Sequence, residues 1–111
     1  MEKDISNLLK KAIAHHQKGD LTQAENLYRE ILEIQPSNSD ANHNIGILAA
    51  SVGKFEMSVS FFEKAVISDQ KKEQYWVSLI GSLIKLGKIH KARETLSAAL
   101  EEGFTSDKIK H

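Results

Sequence analysis

The apolar residues of this chain recur at spacings of three and four residues, with polar or charged residues between them. This spacing is the period of an amphipathic α-helix. The clearest stripe consists of Leu21, Ala24, Leu27, Tyr28, Ile31 and Leu32. No segment alternates with period two for long enough to form a strand, so the pattern predicts an all-α protein with six helices. The first, fifth and sixth helices are predicted over about residues 5–18, 73–86 and 89–102.

Residues typical of helix ends lie between the stripes. Asp4 is placed to cap the first helix, and Pro36 is expected to end the second. Asp20, followed three residues later by Gln23, predicts a capping box at the start of the second helix. The polar cluster 37–40 is expected to open the third helix.

Three glycines mark a longer period, since Gly19, Gly53 and Gly87 stand 34 residues apart. Glycine often ends a helix through a left-handed conformation. At fixed distances after each glycine come a small residue and then a large one, namely Ala24, Ser58 and Ala92, then Tyr28, Phe62 and Leu96. A period of this length is typical of stacked helical repeats. It predicts repeats at about 5–38, 39–72 and 73–106 within a single domain over residues 1–111.

The same register gives each repeat part of one motif. Its residues are Ala12, Ala24, Tyr28 and Pro36 in the first repeat, Gly46 and Phe62 in the second, and Trp76, Leu79 and Ala92 in the third. This motif resembles the tetratricopeptide repeat, a helix–turn–helix unit with W-x2-L-G-x2-Y followed by A-x3-F and P. The resemblance implies an α-solenoid in which three repeats form a right-handed superhelix. It also implies a concave groove, lined by the first helix of each repeat, that binds a peptide or a partner helix.

Carried over by position from that family, the groove would contain Leu9, Ile13, His16, Asn44, Ile47, Ser51, Val77, Ser78, Gly81 and Lys85. The predicted groove is apolar in character and includes a few polar residues. Some family members clamp a C-terminal carboxylate with lysine, asparagine and arginine, but only Asn44 matches here, so such a clamp is not expected. Asn44 either hydrogen-bonds a peptide backbone or remains a solvated helix residue. Gly81 is either tolerated in mid-helix at a cost of about 1 kcal/mol, or it lets a ligand backbone approach.

Charge is balanced along the chain, with 15 basic and 15 acidic residues and no block of either sign. Because nucleic-acid binding needs a basic face, no nucleic-acid partner is expected. Charged residues interrupt every apolar run, so neither a signal peptide nor a membrane span is expected. The chain has no cysteine, which removes disulfides and thiolate chemistry. We expect a cytoplasmic protein.

The histidines do not predict a metal site. His15 and His16 are adjacent, so they point about 100° apart on a helix, and the remaining histidines show no ligand spacing with them. The pattern favours an interpretation in which His15 packs between helices and the others are solvated. No phosphate loop, nucleophile elbow or paired carboxylate is recognisable, so we expect no enzymatic activity, no metal and no cofactor.

These observations favour a protein–protein interaction module that binds a peptide or an amphipathic helix in the apolar groove. Self-association into a homo-oligomer is an alternative, because the sixth helix and Phe104 offer an apolar face at the end of the third repeat. A further alternative rests on the run 24–32, which looks like first repeats in bacterial multidomain proteins that join such repeats to a transferase. The chain would then present substrates as the N-terminal domain of a larger enzyme.

Overall fold

A computed structural model describes residues 4–104, and in this range the protein forms six α-helices and no strand. The helices are α1 (Ile5–Gln17), α2 (Leu21–Ile34), α3 (Ser39–Ser51), α4 (Phe55–Ser68), α5 (Glu73–Lys85) and α6 (Ile89–Glu101). Their order confirms the prediction of an all-α solenoid built from helix pairs. None of the helices in the described range is long and apolar enough to cross a membrane.

The three periodic glycines end the first helix of each pair. Gly19, Gly53 and Gly87 have φ values of 82°, 80° and 76°, in the left-handed region that glycine adopts most easily. At each turn the residue after the glycine donates its backbone amide to the carbonyl five residues earlier, as Asp20 does to His15 at 2.9 Å. Such bonds satisfy carbonyls that a helix end leaves unpaired. The 34-residue period therefore fixes three equivalent turns.

The N-terminal caps follow the sequence prediction at two helices and contradict it at a third. Asp4 accepts hydrogen bonds from the amides of Ser6 and Asn7 at the start of α1, and Asn38 accepts one from Ala41 at the start of α3.

The capping box predicted at the start of α2 was wrong. The side chain of Asp20 makes no capping bond, and a carboxylate oxygen of Asp20 instead lies 3.1 Å from Nδ1 of His15. The reason is the preceding turn, which holds Asp20 at φ −86° and ψ 73° rather than in the extended conformation of Asp4.

The helices form two layers with different spacing. In the first layer α1 contacts α3 and α3 contacts α5, whereas α2, α4 and α6 make no contact with one another in the described range. Instead, α2 and α4 each pack on the first helix of their own repeat and of the next one, and α6 packs on α5. Because the first helices are closer together, the stack curves with α1, α3 and α5 on its inner, concave side.

Close packing between α3 and α4 depends on Gly46. This glycine is buried, and a Cβ atom added to it would lie 2.6 Å from Cε1 and 2.7 Å from Cδ1 of Phe62. Carbon atoms in contact normally stay about 3.5–4.0 Å apart. The absence of a side chain at Gly46 therefore lets the Phe62 ring lie directly against the α3 backbone.

Polar contacts join the second and third repeats. The Ser58 hydroxyl on α4 and the Ser82 hydroxyl on α5 share a hydrogen bond of 2.9 Å, and both residues are buried. At the start of α5 the Tyr75 hydroxyl donates to Asp40 of α3 at 2.7 Å, and Nζ of Lys72 lies 3.5 Å from the same carboxylate. These bonds fix the position of α5 relative to α3 and α4.

The C-terminal end of the described chain folds back onto the third repeat. Phe104 follows Gly103, which has φ 100°, and it packs half-buried against the core cluster built by α4, α5 and α6. Phe104 thus has partners in its own chain. Self-association through this face stays a prediction.

Candidate functional site

Two adjoining clefts lie on the concave side. The first, of about 280 Å³, is lined by Ile13, His16, Gln17, Tyr28, Asn44 and Ile47. The second, of about 290 Å³, is lined by Ile47, Ala50, Phe55, Phe62, Ser78, Gly81, Ser82 and Lys85. Ile47 belongs to both, and we call the two clefts together the concave groove.

Seven of the ten residues predicted for the groove line it, namely Ile13, His16, Asn44, Ile47, Ser78, Gly81 and Lys85. The other three do not line either of these two clefts. Leu9 and Val77 are partly buried and pack against the two core clusters, and the Ser51 hydroxyl donates to the Leu48 carbonyl of its own helix at 2.6 Å. Whether the seven lining residues bind a ligand stays a prediction.

The groove has an apolar floor and an accessible centre. Ile47 is 38% exposed and stands on α3 where the two clefts meet. Tyr28 and Phe62 from the second helices reach the groove between the first helices, although the sequence pattern marked them only as the large residues of the repeat motif. Gly81 leaves open space, because an added Cβ would have no atom within 4 Å.

Polar groups stand at opposite ends of the groove. In the first cleft, Nδ1 of His16 and the Tyr28 hydroxyl share a hydrogen bond of 3.3 Å. Burial raises the pKa of Tyr28 to about 12, so this hydroxyl stays protonated at neutral pH. In the second cleft, Lys85 is exposed. Among residues 4–104, no aspartate or glutamate lines either cleft, so the fixed charge that these residues give the groove is positive.

A buried histidine supports the floor of the groove. His43 on α3 is 6% exposed, and its ring contacts those of Phe62 and Tyr75, with centroids 5.3 and 4.6 Å away. Its Nε2 lies 2.8 Å from the Ser78 hydroxyl. Burial, assisted by the positive charge of Lys72, lowers the pKa of His43 to about 4, so the ring is neutral at pH 7.

The interpretation of the histidines from sequence was therefore wrong at His43, which is buried rather than solvated. His15 is partly buried, and its Nδ1 lies 3.1 Å from a carboxylate oxygen of Asp20 at the start of α2. A signal for the burial of His43 was present in the repeat register, because the equivalent positions hold the apolar residues Leu9 and Val77. Within residues 4–104, no group of three potential ligand side chains could hold a metal ion.

Comparison with known proteins identifies the repeats. The family model described as "Tetratricopeptide repeat" matches residues 5–38 and 39–71, which is more than half of the chain. No curated protein sequence matches the chain significantly.

Among solved structures, a mutant O-GlcNAc transferase from Thermobaculum terrenum is 27% identical and has a TM-score of 0.79. The match covers 93% of this chain but 21% of that one, so the chain spans about a fifth of its length.

Two further structures share the fold at lower identity. The Sgt2 TPR domain from Aspergillus fumigatus is 22% identical with a TM-score of 0.83, covering 98% of this chain and 74% of that one. The Yersinia enterocolitica chaperone SycD, in complex with a peptide of the translocator YopD, is 16% identical with a TM-score of 0.81, covering 96% and 81%. The match of the family model and the six-helix repeat architecture together show that this chain belongs to the tetratricopeptide repeat family.

Proposed function

We propose that this protein is an interaction module that binds a peptide or an amphipathic helix of a partner protein in the concave groove. The observation that carries the proposal is the pair of clefts joined at the exposed side chain of Ile47. Repeats of this family are in general non-catalytic protein-binding modules, which is consistent with this role.

The chemistry of the groove indicates the character of the ligand. The ligand would carry apolar side chains spaced by one or two helical turns, and these would fill the two clefts on either side of Ile47. Lys85, with no carboxylate lining the groove, favours an acidic residue at the corresponding end of the ligand. The Asn44 side chain carries both a donor and an acceptor that can meet the ligand backbone.

Structures with the same fold support peptide binding as a use of this scaffold. The SycD structure contains a peptide of YopD, and another repeat domain, from the protein Spaghetti, is bound to an HSP90 peptide. These ligands are properties of those proteins. The partner of this chain is expected to follow the charge and shape of its own groove.

The test compares two isoleucine substitutions with matched chemistry. Ile47→Asp places a carboxylate in the centre of the groove, whereas Ile67→Asp places one on α4, where Ile67 is 76% exposed and lies outside the groove. Val77 is unsuitable for this purpose because it packs against a core cluster.

Proteins captured from cell extract by each variant would be quantified by mass spectrometry, with circular dichroism as the control for folding. Partners of the groove should be lost with Ile47→Asp and retained with Ile67→Asp. Retention of every partner by a folded Ile47→Asp variant would refute the proposal.

A second candidate function is substrate presentation within a larger transferase. The similarity to part of the Thermobaculum terrenum O-GlcNAc transferase favours it. In that case a transferase domain would share the reading frame of this chain, and Ile47→Asp would reduce transfer to protein substrates without affecting transfer to short acceptor peptides. A stop codon directly after His111 would refute this candidate.

A further inference from the structure

A third and larger cleft lies on the opposite, convex side of the stack. It has a volume of about 550 Å³, and α4 and α6 form its walls while α5 forms its floor. The lining residues are Glu63, Val66, Ile67, Trp76, Leu79, Lys91, Glu94, Thr95 and Ala98. We call it the convex cleft. None of its lining residues belongs to the concave groove.

The repeat register explains why this cleft is open. Leu27 on α2 and Phe61 on α4 occupy equivalent positions, and both pack against the core cluster of the first two repeats. The equivalent residue on α6 is Thr95, which is smaller. Its hydroxyl donates to the Lys91 carbonyl at 2.8 Å, so its polar group is turned back onto its own helix. The space that a large apolar side chain would fill therefore stays empty between α4 and α6.

The surface of the convex cleft is largely apolar. Trp76 and Leu79 form the floor and are 6% and 5% exposed. Ile67 on the wall is 76% exposed, more than any other large apolar residue in the described range. An occupant of the cleft would therefore cover the accessible side chain of Ile67 beside a floor that is already largely buried.

The charges at the rim indicate what could occupy the cleft. Nζ of Lys91 on α6 lies 3.2 Å from a carboxylate oxygen of Glu63 on α4, so these two charges satisfy each other. Glu94, one helical turn further along α6, has no ion-pair or hydrogen-bond partner among residues 4–104. The unpaired charge of the rim is therefore negative, opposite in sign to that of the concave groove.

We propose that the convex cleft binds an amphipathic helix of a second protein, whose apolar stripe is bordered by a lysine or arginine. The apolar stripe would cover Ile67 and Trp76, and the cation would pair with Glu94. A helix suits the site because the cleft runs between two helices that do not contact each other, and a third helix packs into such a gap by ridges and grooves. This surface is separate from the concave groove and does not depend on its function.

The chain provides its own reporter for this site. Trp76 is the only tryptophan in the sequence, and it forms the floor of the convex cleft. The probe would be a synthetic peptide of about five helical turns without tryptophan, with leucines in a stripe and lysines along its border. Binding would be measured by Trp76 emission and by the anisotropy of a fluorescein label on the peptide.

We expect saturable binding that depends on the shape and charge of the convex cleft. Thr95→Phe, which copies Phe61 of the preceding repeat, should weaken binding about tenfold by filling the cleft. Glu94→Gln should weaken it about threefold, the size of one exposed ion pair. A control peptide with glutamates in place of the border lysines should bind about tenfold more weakly than the lysine peptide.

Further variants separate this site from the others. Ile47→Asp in the concave groove should leave binding of the lysine peptide unchanged. Urea unfolding would verify the fold of Thr95→Phe, and Thr95→Leu, which copies Leu27, replaces it if the phenylalanine variant does not fold.

Four binding results would overturn the proposal. The first is that neither the Trp76 emission nor the anisotropy of the labelled lysine peptide changes. The second is that the folded Thr95 variant binds the lysine peptide as tightly as the wild type, and the third is that the glutamate peptide binds as tightly as the lysine peptide. The fourth is that Ile47→Asp no longer binds the lysine peptide. Concentration-dependent self-association in sedimentation equilibrium that Thr95→Phe abolishes would also overturn it, because the occupant would then be a second copy of this chain.

Discussion

Two glycines in equivalent helices offer a sharp test of how tightly the second repeat is packed. Gly46 on α3 and Gly81 on α5 both lie within helices and both lack the positive φ that would exclude alanine. Replacing either by alanine should gain about 1 kcal/mol from helix propensity. The surroundings of the two Cβ positions differ, however, because one meets Phe62 at 2.6 Å and the other has no atom within 4 Å.

The expected free energies of unfolding therefore change in opposite directions. Gly81→Ala should stabilise the protein by about 1 kcal/mol, since nothing opposes the gain in helix propensity. Gly46→Ala must displace the Phe62 ring, which is 2% exposed and held against His43. Overpacking of this kind costs about 1–3 kcal/mol, so Gly46→Ala should be destabilised by up to about 2 kcal/mol. The propensity gain is common to both variants, so the difference between them isolates the cost of the clash.

The assay is urea unfolding of both variants, followed by circular dichroism in the far ultraviolet, with equal m values as a check that the midpoints report stability. Phe62→Leu removes the ring atoms that clash, so Gly46→Ala should cost less in that background than in the wild type. A Gly46→Ala variant as stable as Gly81→Ala would refute the close contact between α3 and the Phe62 ring.

Two further predictions follow from buried polar groups. Because the pKa of His43 falls from 6.5 in the unfolded chain to about 4 in the folded protein, the unfolded chain gains its proton first as pH falls. The free energy of unfolding should then drop by about 3 kcal/mol from pH 6.5 to pH 4. Urea titrations across this range should show a shallower pH dependence for His43→Leu, and an unchanged slope would contradict the assignment. Ser58→Ala should cost about 1–3 kcal/mol by leaving Ser82 without its buried partner, whereas Ser58→Ala with Ser82→Ala should be closer to neutral. A double-mutant cycle by thermal or urea unfolding measures the coupling, and strictly additive effects would argue against the bond.

Some of the candidate site could be predicted from sequence, and the reason is the repeat register. Once Gly19, Gly53 and Gly87 fixed the positions of the turns, each residue received a place on a helix relative to its neighbours. That placed Ile47 and Gly81 on the inner side, where the structure has them. Helix position alone does not give the depth of a side chain, and Val77, from the same predicted set, is partly buried and packs against a core cluster.

Local sequence signals determined which segments of this protein form helices and how the helix pairs repeat along the chain. Glycine readily adopts the positive φ with which many helices end, and apolar residues at helical spacing predict a buried face without knowledge of what covers it. Six helices, three equivalent turns and an all-α stack follow from these local rules.

Only the tertiary structure decided which positions are deep, which are open and which polar groups meet. His43 is buried because α5 and the Phe62 ring close over it, and the carboxylate of Asp20 turns to His15 because of the conformation of the preceding turn. The convex cleft exists because α4 and α6 do not touch and Thr95 is too small to fill the gap between them. Distances between helices that are far apart in sequence depend on all the side chains packed between them, and a local pattern does not encode them.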